Sequence, residues 1–355
     1  MTLDLQDDVV SLTRALCDIP SVSGDEAMIA DAVEAALRKL GHLEVLRDGD
    51  AIVARTQLAR AKRVVLAGHL DTVPIKDNLP TWTTGEGDDQ ILHGRATVDM
   101  KGGVAAQLRI AATLPEPRYD VTFVFYDNEE VASVRNGLGR LVRNHPDWLA
   151  GDFAILGEPS NGTVEGGCQG TIRVRITLAG KAAHAARSWR GINAIHAAGP
   201  VLAILNAYEP RVVEVDGLEY REGLNAVNIQ GGIAGNVIPD ECVIDINHRF
   251  APDRSIDEAL AHLREVFAGY ELEVRDRAAA ARPGLDQPAA AEFVAAVGRP
   301  PAPKFGWTDV ARFAELGVPA VNYGPGDPLL AHTDEEHVAI ADLRECERVL
   351  KEWLQ

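Results

Sequence analysis

Apolar positions in the first 160 residues follow two patterns, the spacing of amphipathic helices and the short continuous runs of buried strands. Helices are predicted within 3–16 and at 26–40, 100–114 and 136–144, with Gly41 as the C-cap of the second. Strands are predicted near 43–47, 51–55, 63–68, 121–126 and 153–156, and a polar loop at 80–89. Strands that alternate with helices predict an α/β domain with a mixed, mostly parallel sheet flanked by helices.

The pattern changes after Gly170. Residues 171–178 alternate strictly between apolar and polar, which is typical of an antiparallel strand with one solvent-facing side. A helix at 192–207, strands at 225–233 and 242–250, a helix at 255–268 and a strand at 271–275 follow. This order matches the split ferredoxin-like arrangement. After a linker at 277–288, α/β character returns at 289–297, 310–316, 318–323 and 338–354. We therefore predict a catalytic domain of residues 1–169 and 284–355, with an inserted α+β ferredoxin-like domain at 170–283.

Composition narrows the class of protein. A chain of 355 residues exceeds the usual size of one hydrophobic core, which favours two domains. The net charge of −18 argues against nucleic acid or an anionic membrane as a partner. Four scattered cysteines form no C-x-x-C pair, so reduced thiols are expected. Residues 1–8 are acidic and lack the features of a signal peptide, so a cytoplasmic location is expected.

The first candidate for chemistry lies where the strand near 63–68 ends. His69 and Asp71 are two residues apart, so on extended backbone their side chains share one face. This is the geometry of a metal-ligand histidine and an acidic partner that fixes its tautomer. Taken alone, the pair would fit surface residues better.

Further acidic and histidine residues also lie near the ends of predicted strands. Each has a plainer interpretation: Asp99 as a helix cap, Glu129 and Glu130 as loop charges, Glu158 as a turn residue and His332 as a surface histidine. Together they fall at the sheet edge where open α/β folds place their sites. Coincidence is then the poorer explanation.

The chain resembles the dinuclear-zinc amidohydrolase and metallopeptidase family in five segments: His69–Pro74, Gly94–Gly103, Tyr126–Glu130, Gly157–Pro159 and Ala331–Glu335. That family includes aminoacylases, acetylornithine deacetylases, glutamate-releasing carboxypeptidases and succinyl-diaminopimelate desuccinylases. The resemblance covers essentially the whole chain in order. It is strongest to the actinobacterial type of desuccinylase, through Ala185–Trp189, Gly306–Phe313 and Asn322–Pro328.

The resemblance implies a set of metal ligands and a general base. His69, Asp99 and Glu158 would hold one Zn²⁺, and Asp99, Glu130 and His332 the other, with Asp99 as the bridge. Mixed imidazole and carboxylate donors suit such a pair of ions, although Co²⁺ and Mn²⁺ overlap with Zn²⁺ in ligand preference. Glu129 would take a proton from the attacking water and pass it to the leaving amine. Asp71 would orient His69.

In the predicted inserted domain, the resemblance implies that His184 reaches the active site of a second subunit and stabilises the oxyanion, so a homodimer is expected. Asn236 and Arg249 match positions that bind a substrate carboxylate, and Thr308, in the catalytic domain, is a further candidate contact. Without the resemblance, His184 would be a surface histidine and Arg249 a member of a surface salt bridge. Better-known desuccinylases carry a Tyr where this chain has Arg187. We hypothesise that Arg187 supplies the second carboxylate contact.

The function implied is the hydrolysis of N-succinyl-LL-2,6-diaminopimelate to succinate and LL-2,6-diaminopimelate, a step in bacterial lysine and cell-wall precursor synthesis. One alternative is another N-acyl amino acid deacylase, such as an acetylornithine deacetylase, or a carboxypeptidase of the same family. An alternative from a different class is a non-catalytic, metal-dependent binding protein. Glu129 speaks against the latter, because a binding site needs no metal-free base.

Overall fold

The computed structural model describes residues 3–355. Its α-helices, in chain order, are α1 (Val9–Cys17), α2 (Ala27–Leu37), α3 (Lys101–Thr113), α4 (Gly137–Asn144), α5 (Ala198–Ala207), α6 (Ile256–Val266), α7 (Pro288–Val297), α8 (Val310–Glu315) and α9 (Ile340–Leu354). Its strands are β1 (Glu44–Asp48), β2 (Ala51–Arg55), β3 (Arg63–His69), β4 (Trp82–Thr84), β5 (Ile91–His93), β6 (Asp120–Tyr126), β7 (Phe153–Leu156), β8 (Glu165–Gly166), β9 (Gly170–Ala179), β10 (Ala183–His184), β11 (Val212–Val215), β12 (Leu218–Arg221), β13 (Gly223–Gly231), β14 (Val237–Ile238), β15 (Glu241–Phe250), β16 (Glu273–Ala278), β17 (Ala302–Pro303), β18 (Ala320–Asn322) and β19 (His337–Ala339).

The chain divides into two compact units. The first comprises the described residues up to Gly167 together with Pro283–Lys304 and Thr308–Gln355. The second comprises Cys168–Arg282 and Phe305–Trp307. Across residues 3–355, no helix combines the length and the apolar character that crossing a bilayer requires.

The first unit is built on an eight-stranded sheet in the order β1-β2-β6-β3-β7-β18-β8-β17. Four of its seven pairings are parallel, and the other three are antiparallel. β6 is buried along its whole length and β3 in all but its first residue, which explains their continuous apolar runs. Residues of α1, α2, α3, α7 and α9 share one hydrophobic core with these strands. The predicted mixed, mostly parallel sheet with flanking helices is confirmed.

The second unit contains a four-stranded antiparallel sheet in the order β13-β15-β9-β16. Alternate residues of β9 and β15 point into a core that they share with α5 and α6. Across the sheet, these strands are the second, third, first and fourth of the four in chain order, which is the ferredoxin-like arrangement predicted from the sequence. β13 and β16 form the two edges.

Several predicted boundaries are wrong. The predicted helix at 192–207 begins only at Ala198, because Ile192 exchanges both backbone hydrogen bonds with Lys181 in a short bridge. Helix α2 ends at Leu37, so Gly41 lies beyond it and is not its C-cap. The linker predicted at 277–288 is shorter, since β16 continues to Ala278.

Short strands account for the remaining differences. The loop predicted at 80–89 contains β4, which pairs with β5, and the Trp82 ring stacks on His93 with ring centroids 5.0 Å apart. The antiparallel hairpin of β11 and β12 was not predicted at all. Strands of three or four residues give too little alternation to be recognised from sequence.

Candidate metal centre

His69 is the last residue of β3, and its side chain is buried. Its Nδ1 lies 3.0 Å from the backbone oxygen of Asp71, which can only accept, so Nδ1 carries a proton. The other ring nitrogen, Nε2, faces Asp99 Oδ1 at 3.1 Å. Gly68 precedes His69, and a Cβ there would lie 2.8 Å from the Val104 side chain of α3. The close approach of α3 therefore requires glycine beside this histidine.

Asp71 is buried and holds the loop that carries the two adjacent glutamates. Its carboxylate accepts the backbone N–H of Glu129 at 3.0 Å, that of Glu130 at 3.1 Å, and the Ser23 hydroxyl at 2.7 Å. Its Oδ1 lies 3.5 Å from His69 Nδ1. The carboxylate thus positions Glu129 and Glu130, while His69 is oriented chiefly through the backbone carbonyl of Asp71.

Asp99 lies just before α3 but does not cap it. Met100 is the N-cap residue of α3, and within residues 3–355 no side chain accepts a hydrogen bond from the first backbone N–H groups of this helix. Instead its two oxygens face two different imidazoles. Oδ1 is 3.1 Å from His69 Nε2, and Oδ2 is 3.3 Å from His332 Nε2. A carboxylate that presents one oxygen to each of two ligand groups has the geometry of a bridging ligand.

His332 and Glu130 meet on the other side of Asp99. The Nε2 atom of His332 lies 2.7 Å from Glu130 Oε1, and its side chain is about half exposed. His332 adopts a left-handed backbone conformation with φ of +65°. That conformation costs a residue other than glycine about 1–3 kcal/mol, and it concentrates at functional sites.

Glu158 follows β7 and is buried. The backbone before it packs directly against α3, where a Cβ on Gly103 would overlap the carbonyl oxygen of Gly157. Close by, the Lys304 ammonium donates to the Pro159 carbonyl at 3.2 Å and pairs with Glu165 at 2.8 Å. The close contact between Gly103 and Gly157 therefore places Glu158 beside the start of α3, next to Asp99.

Three groups of side chains could each hold a metal ion, with ligand atoms within 4.8 Å of one another. They are His69, Asp99 and Glu158; Asp99, Glu130 and His332; and His69, Glu129 and Glu130. The first two share Asp99 and use imidazole and carboxylate donors, which suits zinc and the neighbouring divalent metals. The described residues therefore fit two divalent ions.

The electrostatics of the cluster point the same way. Burial, and next to it the charge of Asp99, raises the pKa of Glu158 to about 8. Burial also raises the pKa of Glu129 well above its ordinary value, with Glu130 adding to the rise. Hydrogen bonds with Asp99 and Glu130 raise the pKa of His332 to about 10. Carboxylates crowded in this way repel one another, and a bound cation would relieve that repulsion.

The second unit carries the other histidine and its predicted neighbour. His184 is exposed and pairs through β10 with β14, next to Asn236, whose backbone oxygen accepts from the Ala185 N–H at 2.9 Å. The His184 Nδ1 accepts the backbone N–H of Ala186 at 3.1 Å. With Nδ1 occupied as an acceptor, the neutral ring carries its proton on Nε2, which is then a hydrogen-bond donor.

The predicted carboxylate contacts differ in surroundings. Arg249 is half-buried on β15, and its Nη1 has no hydrogen-bond partner within residues 3–355. Burial lowers the pKa of Arg249, and Arg173 lowers it further. Arg187 is exposed in the short helical segment after His184. Thr308, in the first unit, is buried and donates its hydroxyl to the Asn322 side chain at 3.0 Å.

Sequence reasoning missed the residues that hold the ligand loops from behind. Glu26 is buried and accepts the backbone N–H of Asn128 at 3.0 Å, so it fixes the loop before Glu129. Arg95 and Glu336 form a buried ion pair of 2.8 Å beside Asp99. Charged residues of this kind have no periodicity of their own. Arg95 lies inside the matching segment Gly94–Gly103 and Glu336 directly after Ala331–Glu335, whereas Glu26 is near no matching segment.

Comparison with known proteins agrees with this geometry. The model of "Peptidase family M20/M25/M40" matches residues 65–355, and the chain belongs to that family. It is 54% identical to a Mycobacterium tuberculosis protein provisionally named succinyl-diaminopimelate desuccinylase DapE, over 99% of both chains. It is 46% identical to the succinyl-diaminopimelate desuccinylase of Corynebacterium glutamicum, over 99% of this chain and 97% of that protein.

Solved structures share the fold at low sequence identity. A Staphylococcus aureus tripeptidase superposes with a TM-score of 0.80 and 21% identity, over 100% of this chain and 98% of that one. The Bacillus subtilis YXEP protein, described as a dinuclear metal-binding peptidase of the M20 family, superposes with a TM-score of 0.70 and 19% identity. That pair covers 98% of this chain and 96% of the other.

Proposed function

We propose that the protein hydrolyses the amide bond of N-succinyl-LL-2,6-diaminopimelate and releases succinate and LL-2,6-diaminopimelate. The observation that carries this proposal is the pair of ligand groups that share Asp99, in a chain 54% identical over its length to a protein named as a desuccinylase. The two ligand sets are His69, Asp99 and Glu158, and Asp99, Glu130 and His332. We infer that the metal in both is Zn²⁺, which these donors suit.

Two bound divalent ions would supply Lewis-acid charge that polarises the amide carbonyl and acidifies water. Glu129 belongs to neither ligand set that shares Asp99, and it is placed by the N–H···Asp71 hydrogen bond. Its carboxylate takes a proton from the attacking water and delivers it to the nitrogen of the leaving amine. Burial raises the pKa of Glu129 above its ordinary value, which makes the carboxyl a stronger proton acceptor.

Substrate recognition falls to the second unit in this proposal. The half-buried guanidinium of Arg249 has an unpaired Nη1 and accordingly favours an anion, such as a substrate carboxylate. Asn236 and Arg187 contribute further contacts, and Thr308 contributes from the first unit. The His184 Nε2–H donates to the oxygen that becomes negative as the carbonyl is attacked.

We further propose that the active form is a homodimer and that residues 170–283 form its dimerisation and lid domain. β13 is an edge strand, and Val227 and Ile229 on it are 58% and 47% exposed. Exposed edges with apolar side chains favour pairing with another strand. The occupant we infer is β13 of a second copy, and His184 then acts on the active site of the other copy.

The decisive experiment combines metal analysis with a comparison of substrates. Purified protein should contain two divalent ions per chain and should hydrolyse succinyl-diaminopimelate much faster than N-acetylornithine. A chelator should abolish the activity, and Zn²⁺ should restore it. Faster hydrolysis of N-acetylornithine would identify a deacetylase instead. If metal-loaded protein hydrolysed no N-acyl amino acid, and Glu129→Gln kept full ligand affinity, the protein would be a binding protein.

A further inference from the structure

Glu336 is a buried carboxylate that follows the loop of His332 and accepts hydrogen bonds from the loop of Asp99. Its Oε1 atom accepts the backbone N–H of Val98 at 3.1 Å and that of Asp99, also at 3.1 Å. Its side chain is 1% exposed. The backbone of the bridging residue is therefore held by a carboxylate from a segment more than 200 residues away in the chain.

Arg95 completes the connection between the two loops. Its Nη1 pairs with Glu336 Oε2 at 2.8 Å and also donates to the backbone oxygen of Thr333 at 3.0 Å, the residue after His332. The backbone N–H of Gly94 donates to the Glu336 carbonyl at 3.0 Å. One ion pair thus joins the segment before Asp99 to both ends of the segment that follows His332.

We propose that Arg95 and Glu336 are positioning residues that fasten the Asp99 loop to the His332 loop and so set the affinity of the metal site formed by Asp99, Glu130 and His332. The inference rests on the ligand assignment proposed above. Neither residue is itself a ligand in any of the three groups that could hold an ion.

The two metal sites depend on this ion pair to different degrees. In the site of Asp99, Glu130 and His332, two of the three ligands lie on the loops that the pair joins. In the other site only Asp99 does, because His69 is fixed by β3 and Glu158 by the strand–helix contact described above. The third ligand, Glu130, is held separately through its N–H by Asp71. Breaking the Arg95–Glu336 ion pair should therefore lower the metal affinity of the site that contains His332 more than that of the site that contains His69.

Removing one partner of a buried pair leaves an uncompensated charge, which distorts its surroundings more than removing both does. In Glu336→Gln the remaining oxygen can still accept from Val98 and Asp99, but the new NH₂ group would face the Arg95 donor. Arg95→Met leaves Glu336 buried without its cation. The double variant removes the mismatch, so its effect should be smaller than the sum of the single effects.

The experiment measures the two metal affinities by competition with a chelator, in Glu336→Gln, Arg95→Met and the double variant. The matched control is Glu347→Gln, which breaks the Arg109–Glu347 ion pair of 3.0 Å between α3 and α9. We expect the ion of Asp99, Glu130 and His332, identified as the one that His332→Ala also loses, to bind about 10–100-fold more weakly in each single variant, while the ion of His69, Asp99 and Glu158 changes much less. The control should bind both ions like the wild type.

Folded variants that bind both ions with wild-type affinity would overturn the inference, even if their thermal stability fell. Equal losses at both sites would also overturn it. If the single variants fail to fold, Arg95→Lys takes their place. It keeps the charge but lacks the forked guanidinium, and we expect the same selective loss of metal affinity. A wild-type protein that binds fewer than two ions would instead refute the ligand assignment, so the two failures are distinguishable.

Discussion

The carboxylate of Asp71 accepts the backbone N–H of Glu129 at 3.0 Å, so the residue proposed to orient a metal ligand also positions the proposed general base. Asp71 holds the backbone of both adjacent glutamates, Glu129 and Glu130, but their side chains have different neighbours. Glu130 turns to His332, at 2.7 Å, while Glu129 remains outside the two ligand groups that share Asp99. The proposed division between metal binding by Glu130 and proton transfer by Glu129 therefore depends on the two backbone N–H groups that Asp71 holds.

Replacing Asp71 with Asn should lower turnover more than metal content. Asn keeps one oxygen as an acceptor but presents an NH₂ group toward one of the two backbone donors, so the loop of Glu129 and Glu130 shifts. We expect kcat to fall by about 10–100-fold, the range for residues that orient metal ligands. Metal analysis beside steady-state kinetics checks this. Loss of one ion outright would make Asp71 a ligand.

Replacing Glu129 with Gln should remove catalysis while sparing the metal. The amide cannot take up the proton of the attacking water, so kcat should fall by about 10²–10⁴-fold. Both ions should remain, because their proposed ligands are untouched. Glu130→Gln is the paired comparison, and it should lose the ion that it shares with His332. A Glu129→Gln variant with near wild-type kcat would rule this residue out as the base.

The sequence predicted the residues that the fold brings together in two candidate ligand groups, because each lies near the end of an apolar strand or inside a matching segment. His69 and Glu158 follow β3 and β7, whose buried runs are visible as continuous apolar residues. The contacts that hold these residues in place could not be found in the same way. Arg95 and Glu336 come from distant segments, and only the folded chain shows that they pair.

Local rules also failed where long-range pairing overrode them. Helix α5 starts six residues later than its pattern predicts because Ile192 is bonded to Lys181. Phe305–Trp307 belong to the second unit although both flanking segments belong to the first, and Trp307 Nε1 donates to the Ala279 carbonyl at 3.1 Å. Contacts of this kind are tertiary, so periodicity does not encode them.

Michaelis constants test whether Arg249 and Arg187 each bind a substrate carboxylate. If Arg249 binds a substrate carboxylate, Arg249→Met should raise KM for succinyl-diaminopimelate by about 10–100-fold, the loss of one charge-assisted hydrogen bond. Arg187→Ala should raise it as well, and an unchanged KM would refute the hypothesis for that residue. Arg221→Met is the control, because Arg221 is an exposed arginine of the same unit whose ion pair is with Glu219.

His248 should make the second unit sensitive to acid. Burial first, and then the charge of neighbouring His262, lowers the pKa of His248 to about 4 from an ordinary value of 6.5. Between these values the unfolded chain binds a proton that the folded chain does not, so the free energy of unfolding falls as pH decreases from 6.5 to 4. The full effect is about 3 kcal/mol.

The measurement is the pH dependence of the unfolding midpoint of the full chain. His248→Leu should flatten it between pH 6.5 and 4, whereas His196→Gln, at an exposed histidine of the same unit, should leave it unchanged. An equally steep dependence in His248→Leu would assign the acid sensitivity to other groups. The structure supports His248 as the source of the acid sensitivity, because neither of its ring nitrogens has a hydrogen-bond partner within residues 3–355.

If two copies pair through β13, a charged residue on that strand should prevent dimer formation. Ile229→Glu on β13 should yield a monomer in light scattering, while Val274→Glu on β16, the opposite edge, should remain dimeric.

Co-expression of Glu129→Gln chains with His184→Ala chains should restore about a quarter of wild-type activity. Half of randomly assorted dimers are mixed, and each mixed dimer holds one intact site if His184 acts on the other copy. No recovery from two inactive variants that do form mixed dimers would show that His184 serves its own chain.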